Sequence, residues 1–347
     1  MLGQDPGSSG VTFGEAWTAW LAGKRKLRQS ARARLEQIGA HWLIPAIGDV
    51  PLERLSGVHC AAVFQRIEHI NAGIRAQQGD GRAFVHVDGD VRDRPRPVGV
   101  ASQHRVYAAL REFANFEVRK TRRLAFNPAY AVELEQEITP EATRWSAAQA
   151  RKFLAATAGD PLHPAYRLVL LRGLRRGEAL GLRWADADLD AGFLRIRQTS
   201  LKIGGEVVTG RPKSKAGERV IWLDQQTTDL LKAHHDAQVL QALEADTAWQ
   251  DHDLLFCKED GQPLKPDAVS RHFKVLARKA GLPPIKLHEG RHSAASLARD
   301  AAVDPEIRRR TLGHADQAMT SHYTHIEQAA RQAAAEAVAR LVEGDGS

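Results

Sequence analysis

Four short stretches of this 347-residue chain hold side chains suited to binding anionic oxygen or moving protons. In LVLLRGLRRGEALGLRW, residues 168–184, an apolar helix should end near Gly173, with Arg175 and Arg176 after it and Glu178 opening the next helix. An arginine held at such a junction can offer a planar, permanently charged, bidentate donor to an oxyanion, or it can simply pair with Glu178. In TGRPKSKAGERVIWLD, residues 209–224, Lys213 and Lys215 fall on a turn between β-prone runs that include Val207, Val208, Val220 and Ile221. A lysine there is either solvated or reaches toward a partner. In KLHEGRHSAASLARDAAV, His288 and Arg291 are three residues apart and share one helix face, while Ala294, Ala295 and Leu297 bury the other. TLGHADQAMTSHYTHIE places His314 nine residues before Tyr323, in a polar setting unusual for a packing aromatic.

The third stretch has a second reading. His288-Glu289-Gly290-Arg291-His292 fits H-E-x-x-H, in which two histidines one turn apart share a zinc ion and the glutamate acts as base. Gly290 weakens that helix, the later Gly and His of the extended motif are missing, and only Asp304 or Glu306 follows as a third ligand. A zinc metalloprotease would also leave Arg175, Lys213, His314 and Tyr323 without a role.

The elements that must carry these groups are mostly helical. Phe13, Trp17, Trp20 and Leu21 recur at spacings of three and four, an apolar stripe, and further helices are expected over residues 58–71 and 103–119. A basic run follows the first helix: Lys24, Arg25, Lys26, Arg28, Arg32 and Arg34, with no acid among them, a solvated face or a strip that follows phosphates. Residues 73–100 read as an insert, with a hairpin turn at Asp88-Gly89 and an extended connector at Pro95 and Pro97. Asn127-Pro128-Ala129 closes this unit, residues 11–132, after a flexible lead-in at 1–10. An acidic linker at 133–144 leads to Ser146, which has the chemistry of an N-cap. The second unit, 145–325, reads as helices, a β patch at 193–223, and helices again. The tail, 326–347, is Ala-rich, with Ile326, Ala330, Ala333, Ala337 and Leu341 along one stripe, suited to packing on its own domain or on a neighbour.

Composition narrows the class. Hydrophobic residues make up 43% and charged residues 26%, which excludes a disordered chain or a fibre. Two distant cysteines, Cys60 and Cys257, exclude a disulfide framework and a four-cysteine zinc site. No run of about 18 apolar residues predicts a membrane span, and MLGQDPGSSG is not a secretory signal. A net charge of +7 leans toward a polyanionic partner.

Taken together, the four stretches resemble the tyrosine recombinase, or phage-integrase, family over roughly residues 145–327. GLRRGEALGLRW is similar to its first arginine box and implies Arg175; PKSKAGERVIWL resembles its β-hairpin lysine motif and implies Lys213, with Lys215 as the alternative; HEGRH implies His288 and Arg291; LGH and the tyrosine nine residues on imply His314 and the nucleophile Tyr323. More weakly, the helical N-terminal pattern and its NPA ending resemble the family's core-binding domain. The chain departs from the family at Glu289-Gly290, where Asp-Leu is common, and at Trp222, where proline is common. It shows no counterpart before Val11 of the family's frequent arm-binding domain, which suggests a simpler recombinase or a trimmed chain.

The resemblance implies a mainly α fold with a small antiparallel β-sheet, in which a helical core-binding domain and an α+β catalytic domain form a C-shaped DNA clamp. It implies site-specific strand exchange without metal, cofactor or ATP. Arg175 and Arg291 would clamp the phosphate, His288 accept the phenol proton, Lys213 protonate the leaving 5′-hydroxyl, and His314 bond the scissile phosphate; Lys24–Arg34 would contact DNA. The implied partners are duplex DNA with inverted core-type sites, a homotetramer on two sites formed from a monomer or weak oligomer, and an accessory directionality factor, in a bacterial cytoplasm. The tail would be exchanged between protomers. A type IB topoisomerase uses similar chemistry and is the nearest alternative.

Overall fold

The computed structural model describes residues 10–79, 96–137, 143–203, 205–212, 217–313 and 325–344. The chain divides into two compact units, Met1–Pro140 and Glu141–Ser347. Among the described residues, no helix is long and apolar enough to cross a membrane.

In the first unit, α1 (Phe13–Gly23) starts in a capping box: Thr12 Oγ1 accepts from the Glu15 amide and the Glu15 carboxylate accepts from the Thr12 amide at 2.8 Å. The expected stripe of Phe13, Trp17, Trp20 and Leu21 is buried. It packs with Phe113 of α5 (Val100–Phe116), whose ring meets Phe13 edge-on at 5.0 Å between centroids. Between them lie α2 (Gln29–Ile38), α3 (Ile44–Ile47) and the long α4 (Gly57–Gly79). Helix α4 continues to Gly79, inside the stretch expected to be an insert, and the Asp88-Gly89 turn lies outside the described residues. Asn71 fastens the returning chain, since its amide exchanges two hydrogen bonds with the Val98 backbone (2.6 and 3.1 Å).

The second unit opens on Trp145, buried, whose amide donates to Ser293 Oγ (2.9 Å). Ser146 caps α6 (Ala147–Ala156), and Gln149 completes the box. Helix α7 (His163–Arg172) is buried on every side, so it forms the centre of the unit. The short α8 (Arg176–Ala179) follows. The β patch is two sheets: β1 (Ala187–Asp188), β2 (Phe193–Ile196) and β5 (Arg219–Trp222) form one antiparallel sheet in the order β1-β2-β5, and β3 (Thr199–Ile203) pairs with β4 (Glu206–Gly210) in the other. Then come α9 (Gln225–Ala245), α10 (Pro266–Lys279), α11 (Leu287–Asp300), α12 (Pro305–Leu312) and α13 (His325–Glu343).

Helix α13 packs on its own unit, and the face it buries differs from the expected stripe. Ala330 and Ala333 are exposed, whereas Arg331, Ala335, Val338, Ala339 and Val342 are buried. In an Ala-rich helix the apolar periodicity is nearly flat, so the bulkier Val338 and Val342 and a set of polar anchors fix its rotation. Arg172 Nη2 donates to the Ala335 carbonyl at 2.7 Å, Gln332 to the Leu223 carbonyl at 2.7 Å, and Arg167 pairs with Glu343.

Candidate active site

Helix α7 ends where Gly173 turns left-handed at φ +67°, accepting the C-cap role that favours glycine. A side chain here would be strained and would also meet Leu312 Cδ2 at 2.4 Å. The turn leaves the Gly173 carbonyl facing α11, where Arg291 Nη1 donates to it at 2.5 Å. Arg291 Nη2 donates to the Leu312 carbonyl at the end of α12. A guanidinium has five N–H donors, so these two carbonyls do not exhaust it. Arg291 is 5% exposed. Burial, with Arg175 and Arg219 nearby, lowers its pKa to about 10, which still leaves it charged at neutral pH.

Two residues beyond Gly173, Arg175 sits at the head of α8. Its amide and its Nη1 donate to the two carboxylate oxygens of Glu178 at 2.8 and 2.7 Å. The pairing expected as an alternative to function is therefore present, yet the Arg175 side chain stays 42% exposed and reachable. Its neighbour Arg176 turns away to Asp267, Ser270 and the Pro266 carbonyl. Glu178 is buried. Burial would raise its pKa, but the hydrogen bonds and charges of Arg219 and Arg175 outweigh that, and the carboxyl is held below its ordinary value.

His288 lies on the first turn of α11, near enough to feel both arginines. Burial first, then His292, Arg291 and Arg175, lowers its pKa, so at neutral pH it is an uncharged imidazole able to accept a proton. Helix α11 runs unbroken through Gly290, whose added Cβ would lie 3.2 Å from Val169 and 3.3 Å from Leu170 of α7. Glycine thus leaves room for the Val169 and Leu170 side chains, which a larger residue would have to push aside by a few tenths of an ångström.

The His288 and His292 rings meet edge-to-face with 5.7 Å between centroids. Among the described residues, no group of three or more His, Cys, Asp and Glu side chains is placed to hold a metal ion. The structure thus brings Arg175, Arg291 and His288 together. Lys213, Lys215, His314 and Tyr323 lie outside the described residues, but the elements that flank them are described. Residues 213–216 run into Gly217 and β5, His314 follows Gly313 at the end of α12, and α13 begins two residues after Tyr323.

Of the basic run, Arg25, Lys26, Arg28 and Arg34 are exposed. Lys24 pairs with Glu112 at 2.5 Å and stacks over Trp20, and Arg32 donates to the carbonyls of Leu21 and Lys24 at 3.0 and 2.8 Å. Those two cations hold the loop between α1 and α2 in place.

Sequence reasoning passed over Arg219. Its signal was available: in a half-buried strand Arg219 is in phase with the buried Ile221, and an inward-facing arginine needs an acceptor.

A family model described as the phage integrase family matches residues 130–330, more than half of the chain. The chain belongs to that family. It is 26% identical over 236 residues to a XerC-like tyrosine recombinase of Caldanaerobacter subterraneus subsp. tengcongensis, covering 62% of this chain and 60% of the relative. It is 28% identical over 172 residues to the ICEBs1 integrase of Bacillus subtilis, covering 49% and 46%. The chain thus spans less than two thirds of either relative's length. The fold is similar to that of the Tn1549 transposon integrase in complex with transposon right end DNA, with a TM-score of 0.66 at 16% identity over 94% of this chain and 98% of that one. It is also similar to lambda integrase in a tetramer bound to a Holliday junction, with a TM-score of 0.58 at 17% identity over 90% and 77%.

Proposed function

We propose that this protein is a site-specific DNA recombinase that cuts and rejoins DNA through a 3′-phosphotyrosine intermediate on Tyr323. The observation that carries this reading is the junction of α7, α8 and α11: an exposed guanidinium at Arg175, a buried one at Arg291 bonded to the Gly173 carbonyl, and the His288 imidazole on the first turn of α11.

A phosphodiester under attack gathers negative charge on its equatorial oxygens, and two fixed guanidiniums suit that state better than water does. Tyr323 Oη attacks phosphorus, its proton passes to His288, and the P–O5′ bond breaks. Lys213, or Lys215, protonates the departing 5′ oxygen, and His314 donates to the phosphate. The new ester keeps the energy of the broken one, so a 5′-hydroxyl from a second strand can reverse the step with neither ATP nor metal. Duplex DNA is the partner, with Lys24–Arg34 of the first unit among the residues that meet it. Four protomers act on two sites in the cytoplasm, assisted by a directionality factor. Exchange of α13 between protomers would require breaking its anchors at Arg172, Leu223 and Arg167.

The test is covalent capture from a pool of nicked duplexes spanning candidate attachment DNA, read on denaturing gels and by sequencing. Wild-type protein should form an adduct, and Tyr323→Phe should form none while still binding DNA. Adducts that persist in Tyr323→Phe would refute the nucleophile. Exchange between two marked duplexes, rather than supercoil relaxation alone, separates a recombinase from a topoisomerase.

A further inference from the structure

Arg219, the first residue of β5, is the most connected cation near the candidate site. Its Nη1 and Nη2 donate to the two oxygens of Glu178 at 3.1 and 2.9 Å, a bidentate pair with side chains 7% and 2% exposed. Its Nε donates to the Thr311 carbonyl at 2.7 Å, and Nη1 also reaches the Gly217 carbonyl at 3.3 Å. Each of these partners anchors a different part of the site. Glu178 holds the backbone and guanidinium of Arg175. Gly217 is the first described residue after the 213–216 segment that carries the lysines. Thr311 precedes Leu312, whose carbonyl takes Arg291, and Gly313, which leads into His314.

We infer that Arg219 is a positioning residue for DNA cleavage: it touches no substrate, but through Glu178, Gly217 and Thr311 it sets Arg175, the start of β5 and the end of α12 against one another. The inference rests on the recombinase reading above. A lysine in its place supplies one point charge and cannot hold a carboxylate in a fork while bonding a carbonyl behind it. Glu178 would then rotate toward Arg175 alone, and Arg175 would be drawn in from the position a phosphate needs. Misplacement by about 1 Å can cost on the order of 100-fold in rate.

The experiment is single-turnover cleavage on the nicked duplex that wild-type protein cleaves, with DNA affinity and thermal unfolding measured on the same samples. Arg219→Ala should slow cleavage about 100-fold and Arg219→Lys by an intermediate factor, with Kd for the duplex unchanged within about threefold. On an Arg175→Ala background the Arg219→Ala effect should shrink to under about tenfold, because the group being positioned is already gone. Should Arg219→Ala fail to fold, Arg219→Lys and its Arg175→Ala double variant decide by the same comparison. Cleavage at the wild-type rate in Arg219→Lys, or an equal loss with and without Arg175, overturns the inference. If wild-type protein cleaves no DNA, the recombinase reading itself has failed, and this inference falls with it.

Discussion

Asp224→Asn should destabilise the second unit by about 3–5 kcal/mol, the usual cost of breaking a buried ion pair from one side. Asp224 is 1% exposed and faces two buried cations: Arg167 at 2.6 Å, and Arg172. It also accepts from the Thr227 amide at 2.9 Å as the N-cap of α9. Asparagine keeps nearly the same volume and one acceptor oxygen for the cap, but its NH2 replaces an oxygen that accepts from a guanidinium and from Thr227, so the change removes the charge and one acceptor together. Arg167, Arg172, Asp224 and Glu343 balance as two cations and two anions, and removing one anion strands a positive charge out of water. For a unit of roughly 200 residues, each kcal/mol shifts Tm by about 2–4 °C, so the variant should melt about 6–20 °C lower by calorimetry. The effect depends on pH with a definite sign. Burial would raise the Asp224 pKa, but Arg172 and Arg167 outweigh it and hold the carboxyl well below its ordinary 3.8. Its contribution is therefore complete above that value and fades as pH falls below it, and the gap between wild type and Asp224→Asn should narrow on acidification. A melting difference under about 2 °C at neutral pH, or a gap that widens in acid, would refute this account of the cluster.

His288 gives a kinetic prediction. Its lowered pKa keeps it a base at neutral pH, so single-turnover cleavage should fall as pH drops through a value below the ordinary 6.5, and His288→Gln should flatten that limb along with losing rate. An unchanged acid limb in His288→Gln would remove it from the role of acceptor. Changing Arg25, Lys26 and Arg34 together to alanine should weaken DNA binding and reduce the salt slope by about 0.9 for each phosphate no longer neutralised, as read from Kd against salt concentration. An unaltered slope would leave these exposed cations as a solvated face.

What was legible in the sequence was legible for local reasons. The Phe13–Leu21 stripe, the Ser146 cap and the glycine ending α7 each depend on neighbours within about four residues, and each stands where its spacing placed it. Arg175, His288 and Arg291 were found as motifs, yet motifs did not say which arginine is buried or why Gly290 is tolerated. Those answers come from α7 and α11 crossing closely, an approach between residues more than 100 positions apart. The rotation of α13 escaped for a similar reason: alanines give little periodic contrast, and the deciding partners Arg167, Arg172 and Leu223 belong to other elements.

The groups that organise the site are acids, although the chemistry sought in the sequence was that of cations. Glu178 collects Arg175 and Arg219, and Asp224 collects Arg167 and Arg172. Each carboxylate is almost fully buried, so leaving either without its guanidiniums would destabilise the unit. That requirement makes them good fixtures: a buried carboxylate with two guanidiniums around it has few other arrangements of similar energy. Glu178 fixes the position of an exposed arginine, and Asp224, through Arg167 and Arg172, fixes the helix that begins two residues after Tyr323. On the proposed recombinase reading, a phenol and two guanidiniums must meet at one phosphate, and each fixture would then hold an element next to one of the reacting parties.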